Sequence, residues 1–393
     1  MAVLRKEAFD LPEGVIYLDG NSLGPLPRGA TARAMSVLQK DWGQDLIRAW
    51  NTADWMALPA HVGDRIAPLI GAPPGSVAVG DTLSVKVFQA LAAALQLRPE
   101  RRVILSDTGN FPSDLYVADG LVSLLDRGYT VRTTPPEAVA PAITEEVAAV
   151  LLTHVDYRTG RLHDMAAITL RAEAAGAAMI WDLAHSTGAL PIDLGSAAFA
   201  VGCSYKYLNG GPGAPAFLYI RPDLSERITP ALQGWLGHAA PFEMTRAYRP
   251  APGVARMRIG TPPVIQLAIL DAALDLWDSV DLDALRRASI TLSELFIAEV
   301  EARCPTLRLA SPRDPAARGS QVSFAHPEGY AMVQACIAAG VIGDFRAPDL
   351  MRFGFAPLYL DADDVRRAAA ILGDVIEREA WRRPEYQTRA KVT

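Results

Sequence analysis

From about residue 76 to residue 220, short apolar runs alternate with helical patterns, and this alternation leaves the chain few architectures. Val77–Val79, Arg102–Ser106, Ala148–His154, Ala178–Asp182 and residues 198–206 read as strands. Val85–Leu95 and residues 164–176 read as helices between them, the second with Asp164 as a candidate N-cap. A strand that is followed by a helix before the next strand pairs in parallel, because the helix carries the chain back to the starting end of the sheet. The expectation is an α/β fold with a mostly parallel, doubly wound sheet. Ligands of such sheets sit at the carboxyl ends of the strands, so polar residues at those ends are the ones to question for chemistry.

Two strand ends carry such residues. The run Met179–Trp181 ends in Asp182, with His185 three residues on. The stretch VGCSYKYLNGGPGAPAFLY (201–219) carries the chain to Ser204, Tyr205 and Lys206 before Gly210, Gly211, Pro212, Gly213 and Pro215 stop regular structure. Lysine is usually a solvated residue, and a surface lysine beside a turn is an equally good reading of Lys206 alone. Among Tyr205, Tyr207 and small residues, partial burial would instead leave its amine nucleophilic. A carboxylate and an amine that converge on one crevice suit pyridoxal phosphate. The lysine would hold the aldehyde, and the aspartate would keep the pyridine nitrogen protonated so that the ring accepts electrons.

Other residues join this reading with plainer alternatives beside them. Leu83 and Ser84 open a helix whose free N–H groups form an anion site, although Thr82 or Ser84 could simply cap it. No Walker A loop is present. Phe111, two residues after Gly109, could stack on a pyridine face or belong to the core. Thr153 ends a buried strand. Arg352, in MRFGFAPLY, offers a planar fork for a carboxylate or is a surface arginine on a strand. Trp42, Trp50 and Trp55 read as core or interface residues, with Trp50 the one to line an aromatic pocket.

Taken together, YLDGNSLGPLP (17–27), GNFPSDLY (109–116), DLAHSTGALPIDL (182–194), GCSYKYLNGGPGAPAF (202–217), GWLGH (234–238), GTPP (260–263) and RFGFAPLY (352–359) resemble the corresponding blocks of the kynureninase family, in that family's order. The resemblance implies a fold-type-I, pyridoxal phosphate-dependent transferase fold. Its large domain has a mostly parallel sheet, and a smaller α+β domain lies at the C-terminal end. It also implies an N-terminal segment (1–50) joining the small domain, a cofactor domain (51–264), and an interdomain helix with the small domain (265–393).

The reaction implied is hydrolysis of L-kynurenine, or its 3-hydroxy form, to anthranilate (or 3-hydroxyanthranilate) and L-alanine. The pathway served, whether tryptophan breakdown, cofactor biosynthesis or secondary metabolism, is left open. Lys206, Tyr205 and Asp182 would be catalytic. Leu83, Ser84, Phe111, Asp114, Thr153, His185, Trp235 and Thr261 would join them around the cofactor, and Arg352, Asn21 and Trp50 around the substrate. Trp235 and Thr261 would reach the phosphate from a neighbouring subunit, which implies a homodimer with shared active sites. A cysteine-desulfurase-like or other β-elimination or aminotransfer enzyme of the same fold is the alternative, and it requires a nucleophilic cysteine. A catalytically silent relative would have lost Lys206 or Asp182, and both are present.

The bulk numbers fit a globular enzyme: 393 residues, half hydrophobic, with a formal net charge of −6 that gives no footprint for nucleic acid. Cys203, Cys304 and Cys336 have no metal or disulfide spacing, and Cys203 reads as a packed thiol. No apolar leader and no run of about 18 uncharged apolar residues occurs, so a cytoplasmic protein without membrane association is expected. Outside the central region, residues 29–50, 60–71 and 264–280 read as helices. Helix 283–303, strands near 306–310 and 320–325, helix 329–339, strand 352–356 and helix 362–380 follow. The polar tail REAWRRPEYQTRAKVT is expected to fray.

Overall fold

The computed structural model describes residues 3–390. Seven strands form the large sheet in the spatial order Val77–Val79, Phe217–Ile220, Phe199–Gly202, Ala178–Asp182, Val147–Thr153, Val103–Asp107, Thr130–Thr134. The last five are mutually parallel, and Phe217–Ile220 runs antiparallel to both its neighbours. Side chains alternate between two apolar layers. Met179 and Trp181 face one, and Ala178 and Ile180 the other. Both faces are therefore covered, as a parallel sheet flanked by helices requires.

A second, four-stranded antiparallel sheet follows in the order Asp344–Arg346, Leu350–Gly354, Gln321–Ala325, Arg308–Leu309. Phe296, on the helix Leu282–Arg303, packs against Phe324, Phe353 and Phe355 at centroid distances of 6.2, 4.9 and 5.3 Å. The helix Ala362–Glu377 closes this layer and starts in a capping box between Asp361 and Asp364. The beginning of the chain reaches this region too. Ile16–Tyr17 pairs in parallel with Val341–Ile342, and Gly354 N donates to Leu18 O at 2.6 Å.

Several elements depart from the sequence reading. Residues 29–50 are not one helix: an α-helix, Arg28–Ser36, widens into a π-helix over Val37–Asp45, and the run ends where Leu46 takes a positive φ of 53°. The strand expected over 198–206 stops at Gly202, so Lys206 stands four residues beyond it. The helix Pro112–Leu125 hides behind the turn-like residues that precede it. The strand Thr130–Thr134 is polar and at the sheet edge, so it lacks the apolar run of its neighbours. The helix expected to 280 ends at Leu274 in tight turns, which bring the Trp277 indole into the space that Gly188 leaves by having no Cβ. The polar tail is held rather than frayed as far as residue 390. Tyr330 Oη donates to Thr388 O at 3.3 Å and accepts from Ala390 N at 2.8 Å; the last three residues of that tail lie outside the described residues.

Candidate active site

After Gly202 the chain leaves the sheet in a loop that fastens to itself. A Cβ at position 202 would stand 2.3 Å from the Phe217 ring, so glycine is required there. Ser204 Oγ donates to Pro215 O (2.6 Å), Gly210 N to Ser204 O (2.9 Å) and Asn209 N to Lys206 O (3.0 Å), with Asn209 at a φ of +60°. Gly24 N donates to Tyr205 O at 2.8 Å, which clamps the N-terminal segment over the same loop. These bonds, not a strand, fix the direction of Lys206.

Lys206 Nζ lies 3.0 Å from His185 Nε2 and over the Tyr205 ring, 5.8 Å from its centroid. Burial, then the Lys206 charge, holds the imidazole of His185 well below the usual histidine range, so the ring is neutral. Its Nδ1 is buried without a partner. Asp182 is 1% exposed; it accepts from Ala184 N at 2.8 Å and from Thr153 Oγ1 at 3.5 Å. Thr153 and Asp182 are register partners at the carboxyl ends of adjacent strands.

Asp114, on the first turn of the helix Pro112–Leu125, is equally buried, and its Oδ2 has no partner. Burial raises both carboxyls above the usual range; the Asp182 charge adds to this at Asp114, and the Lys206 charge opposes it at both. Asn110 was missed from sequence, although it stands beside Phe111 in the GNFPSDLY block. Its Oδ1 accepts from Thr153 Oγ1, and its Nδ2 donates to Ser106 Oγ at 2.9 Å.

Asp114 lines a cavity of about 280 Å³ together with Leu83, Ser84, Phe111, Cys203 and Tyr205, among others; Lys206, Asp182, Thr153 and His185 are not among its lining residues. The helix Leu83–Leu97 opens toward it. Thr82, at the N-cap, makes no side-chain capping bond, so the first-turn N–H groups are not used up by a cap. Phe111 is 37% exposed and lies on the cavity wall, edge-on to Tyr157 at 5.1 Å, which is not a core position. The Tyr205 phenol is raised, first by Cys203 and then by burial, so it stays protonated and can donate.

The residues present fit pyridoxal phosphate. A helix start suits the phosphate, and an aromatic face suits the ring. Two buried acids, Asp182 and Asp114, the second with an unpartnered oxygen, suit a ring nitrogen, and the Lys206 amine suits the aldehyde.

The remaining expected residues stand elsewhere. Trp235 packs edge-to-face with Trp50 (6.2 Å) and with Phe242 (5.9 Å), and Trp50 with Trp55 (5.9 Å). Neither Trp50 nor Trp235 lines the cavity of this chain, and Thr261 is exposed and does not line it either. Arg352 is buried on the small sheet with its fork occupied. Nε donates to Asp344 Oδ1 (2.6 Å), Nη2 to Asp344 Oδ2 and to Ser22 Oγ (2.9 Å), and Nη1 to Tyr157 O. Asp344 and Arg352 face each other across the sheet register. Asn21 is fully buried with neither amide atom bonded, and it packs on Gly354.

Asp19, Ser22, Asp344 and Arg346 complete this second cluster and were not foreseen. The signals available were DGNS around Asn21 and the alternation of Asp344 and Arg346 along a strand. The Asp19 carboxyl, with Oδ1 buried and unpartnered, is pushed up to about 7 by burial and by Asp344. All three cysteines are buried, and burial raises their thiols. Among the described residues no cluster of His, Cys, Asp and Glu could hold a metal, and no helix is long and apolar enough to cross a membrane.

Solved structures similar in fold include a cysteine desulfurase from Thermococcus onnurineus NA1, with a TM-score of 0.81 at 17% identity over 95% of this chain and 97% of that one. A C-DES variant with glycine covalently linked to its PLP cofactor gives 0.81 at 19% identity, over 94% and 99%. At such identities the likeness concerns the fold: the fold-type-I arrangement of pyridoxal phosphate enzymes. The family model for the kynureninase C-terminal domain matches residues 285–372. A kynureninase of Burkholderia pseudomallei (strain 1106a) is 51% identical over all of this chain and 96% of its own length, and one of Pseudomonas fluorescens is 50% identical with the same coverage. With that identity along its whole length, and with Lys206, Asp182 and the cavity beside them in place, the chain belongs to the kynureninase family.

Proposed function

We propose that this chain hydrolyses the Cβ–Cγ bond of L-kynurenine, or of its 3-hydroxy form, to release anthranilate (or 3-hydroxyanthranilate) and L-alanine, with pyridoxal phosphate as cofactor. The observation that carries the reading is half-buried Lys206 at 3.0 Å from buried His185, with buried Asp182 and with Asp114 on the wall of the adjoining cavity, in a chain half-identical to kynureninases.

Lys206 is the amine for the aldehyde, Asp182 the partner of the ring nitrogen, with Asp114 and Thr153 beside it. Phe111 covers a ring face, and Leu83 with Ser84 receives the phosphate. When bound, the cofactor supplies an electron sink that stabilises negative charge next to the substrate's amine carbon. Lys206 Nζ, when free, would be the base that takes the Cα proton, since its flexible chain carries an amine beside neutral His185. Neutral His185 accepts a hydrogen bond from that amine and steadies its position without adding a second positive charge. The protonated Tyr205 phenol donates toward the substrate carbonyl as water adds and the carbon–carbon bond breaks. Buried Asp114 and Asp182 share the Lys206 charge between them, which favours one proton on the pair.

Part of the same reading is a homodimer with shared active sites, residing in the cytoplasm. Leu26, Met35, Leu38, Trp42, Ile47, Phe242 and Met244 are exposed apolar side chains, unusual for a surface that meets only water. Trp235 and Thr261 would reach a partner's cofactor. The desulfurase alternative draws no support from three buried cysteines.

The test is direct. Purified protein with pyridoxal phosphate should be yellow, borohydride should fix the label at Lys206, and kynurenine should yield fluorescent anthranilate. A labelled protein that releases no anthranilate from either substrate overturns the reaction while sparing the cofactor; light scattering at twice the chain mass tests the dimer.

A further inference from the structure

The helix start read as the phosphate site is preceded by an acid. The strand Val77–Val79 passes to the helix Leu83–Leu97 through Gly80, at a φ of +150°, and Asp81, at +58°. Asp81 O accepts from Ala216 N at 3.0 Å. Ala216, Thr82, Leu83 and Ser84 line the cavity, and Asp81 is not among its lining residues. The Asp81 carboxylate is turned instead onto Lys86, in the helix itself. Lys86 Nζ donates to Asp81 Oδ2 at 3.1 Å and to Gln89 Oε1 at 3.0 Å. Gln89 is fixed in turn, because its Nε2 donates to Met257 O at 2.9 Å. Lys86 is 1% exposed, and a lysine is buried to that degree only where its amine has partners. The Asp81 side chain is 34% exposed, so without Lys86 it has room to turn. A carboxylate at a helix start is drawn to the free N–H groups there. It would compete with a phosphate for those groups and repel it.

We infer that Lys86 is a positioning residue for the cofactor phosphate: it holds the Asp81 carboxylate away from the start of the helix Leu83–Leu97 and leaves the first-turn N–H groups to the anion. This rests on the reading that Leu83 and Ser84 receive the phosphate. Lys86 does not line the cavity, so it acts through Asp81. Removing the acid together with the lysine should therefore undo the harm of removing the lysine alone.

The experiment titrates the full-length protein, stripped of cofactor, with pyridoxal phosphate and with pyridoxal, which has the ring and aldehyde but no phosphate. Absorbance of the bound aldehyde gives each Kd, for wild type, K86M, K86Q, S84A and the double variant D81N/K86M. K86M should raise Kd for pyridoxal phosphate by about tenfold, the scale of one like charge released beside a doubly charged anion near a protein surface. Its Kd for pyridoxal should stay within about twofold. In D81N/K86M the Kd for pyridoxal phosphate should return to within about threefold of wild type, a recovery that a merely structural role for Lys86 does not produce. K86Q keeps a donor for Asp81 and should fall between wild type and K86M. If K86M does not fold, an unchanged Kd in K86Q overturns the inference. An unchanged Kd for pyridoxal phosphate in K86M overturns it outright, as does an equal rise for pyridoxal or a double variant that stays as weak as K86M. If S84A weakens pyridoxal phosphate more than pyridoxal while K86M does not, only this inference fails. If neither variant separates the two ligands, the placement of the phosphate at this helix start fails with it.

Discussion

At the carboxyl ends of the large sheet, Asp114 Oδ2 and His185 Nδ1 are buried with no partner. On the small sheet, each nitrogen of Arg352 already has one. Both clusters are charged and enclosed, and the sequence treated both as binding sites. The first leaves polar capacity unused, which costs free energy unless a ligand supplies the missing bonds. In the second, Arg352 and Asp344 satisfy each other, although Asp19 Oδ1 and both amide atoms of Asn21 beside them are also buried without partners.

The comparison can be broken most sharply at Lys206. Lys206→Ala should lower kcat by about 10²–10⁴-fold, the range for removing a positioned proton carrier; steady-state turnover at saturating cofactor measures it, and near-native turnover sinks the large-sheet half. Next comes Asp182→Asn. A hydrogen bond to a charged group contributes about 1.5–3 kcal/mol, so the cofactor should bind about 10- to 150-fold more weakly. Absorbance titration with pyridoxal phosphate reads this, and unchanged binding would remove Asp182 from the ring nitrogen.

On the small sheet, Asp344→Ala leaves two guanidinium groups facing each other and should destabilise by about 3–5 kcal/mol, read from denaturant midpoints. A loss under about 1 kcal/mol would show that this network is not bonded as described.

Asp19 sharpens the comparison by pH. Its carboxyl moves from 3.8 to about 7 in the folded protein, so the native state binds that proton more tightly than the unfolded chain. The resulting stabilisation is full below pH about 4 and disappears as pH rises through about 7. Asp19→Asn should flatten the stability profile between those values, and identical slopes in the two proteins would exclude the effect.

The smallest expected signal concerns the thiols. Native holoenzyme should react slowly with a thiol reagent at all three cysteines, and unfolded protein should react at three; a fast native thiol would revive the desulfurase reading.

The large-sheet site was legible because its residues fall near strand ends that periodicity reveals, and because family blocks surround them. Asp182 and Thr153 needed only the pattern of apolar runs. Lys206 was assigned to a strand but stands in a loop closed by Ser204, Asn209 and Gly24, contacts that no local pattern contains. The Arg352 cluster was read as one arginine. Its acid lies across a strand pair, and Ser22 joins it from more than three hundred residues away in sequence.

The sequence by itself determined the fold class and the family, and nominated Lys206 and Asp182 as a candidate pair, because hydrophobic periodicity and short motifs are local. Only the tertiary structure decided that four of the five N–H groups of Arg352 are already engaged, that Arg346 is less enclosed, and that Trp235, Trp50 and Thr261 lie away from this chain's own cavity. Those outcomes depend on which distant side chains share a buried volume, and hydrogen-bond saturation there is a property of the packed whole.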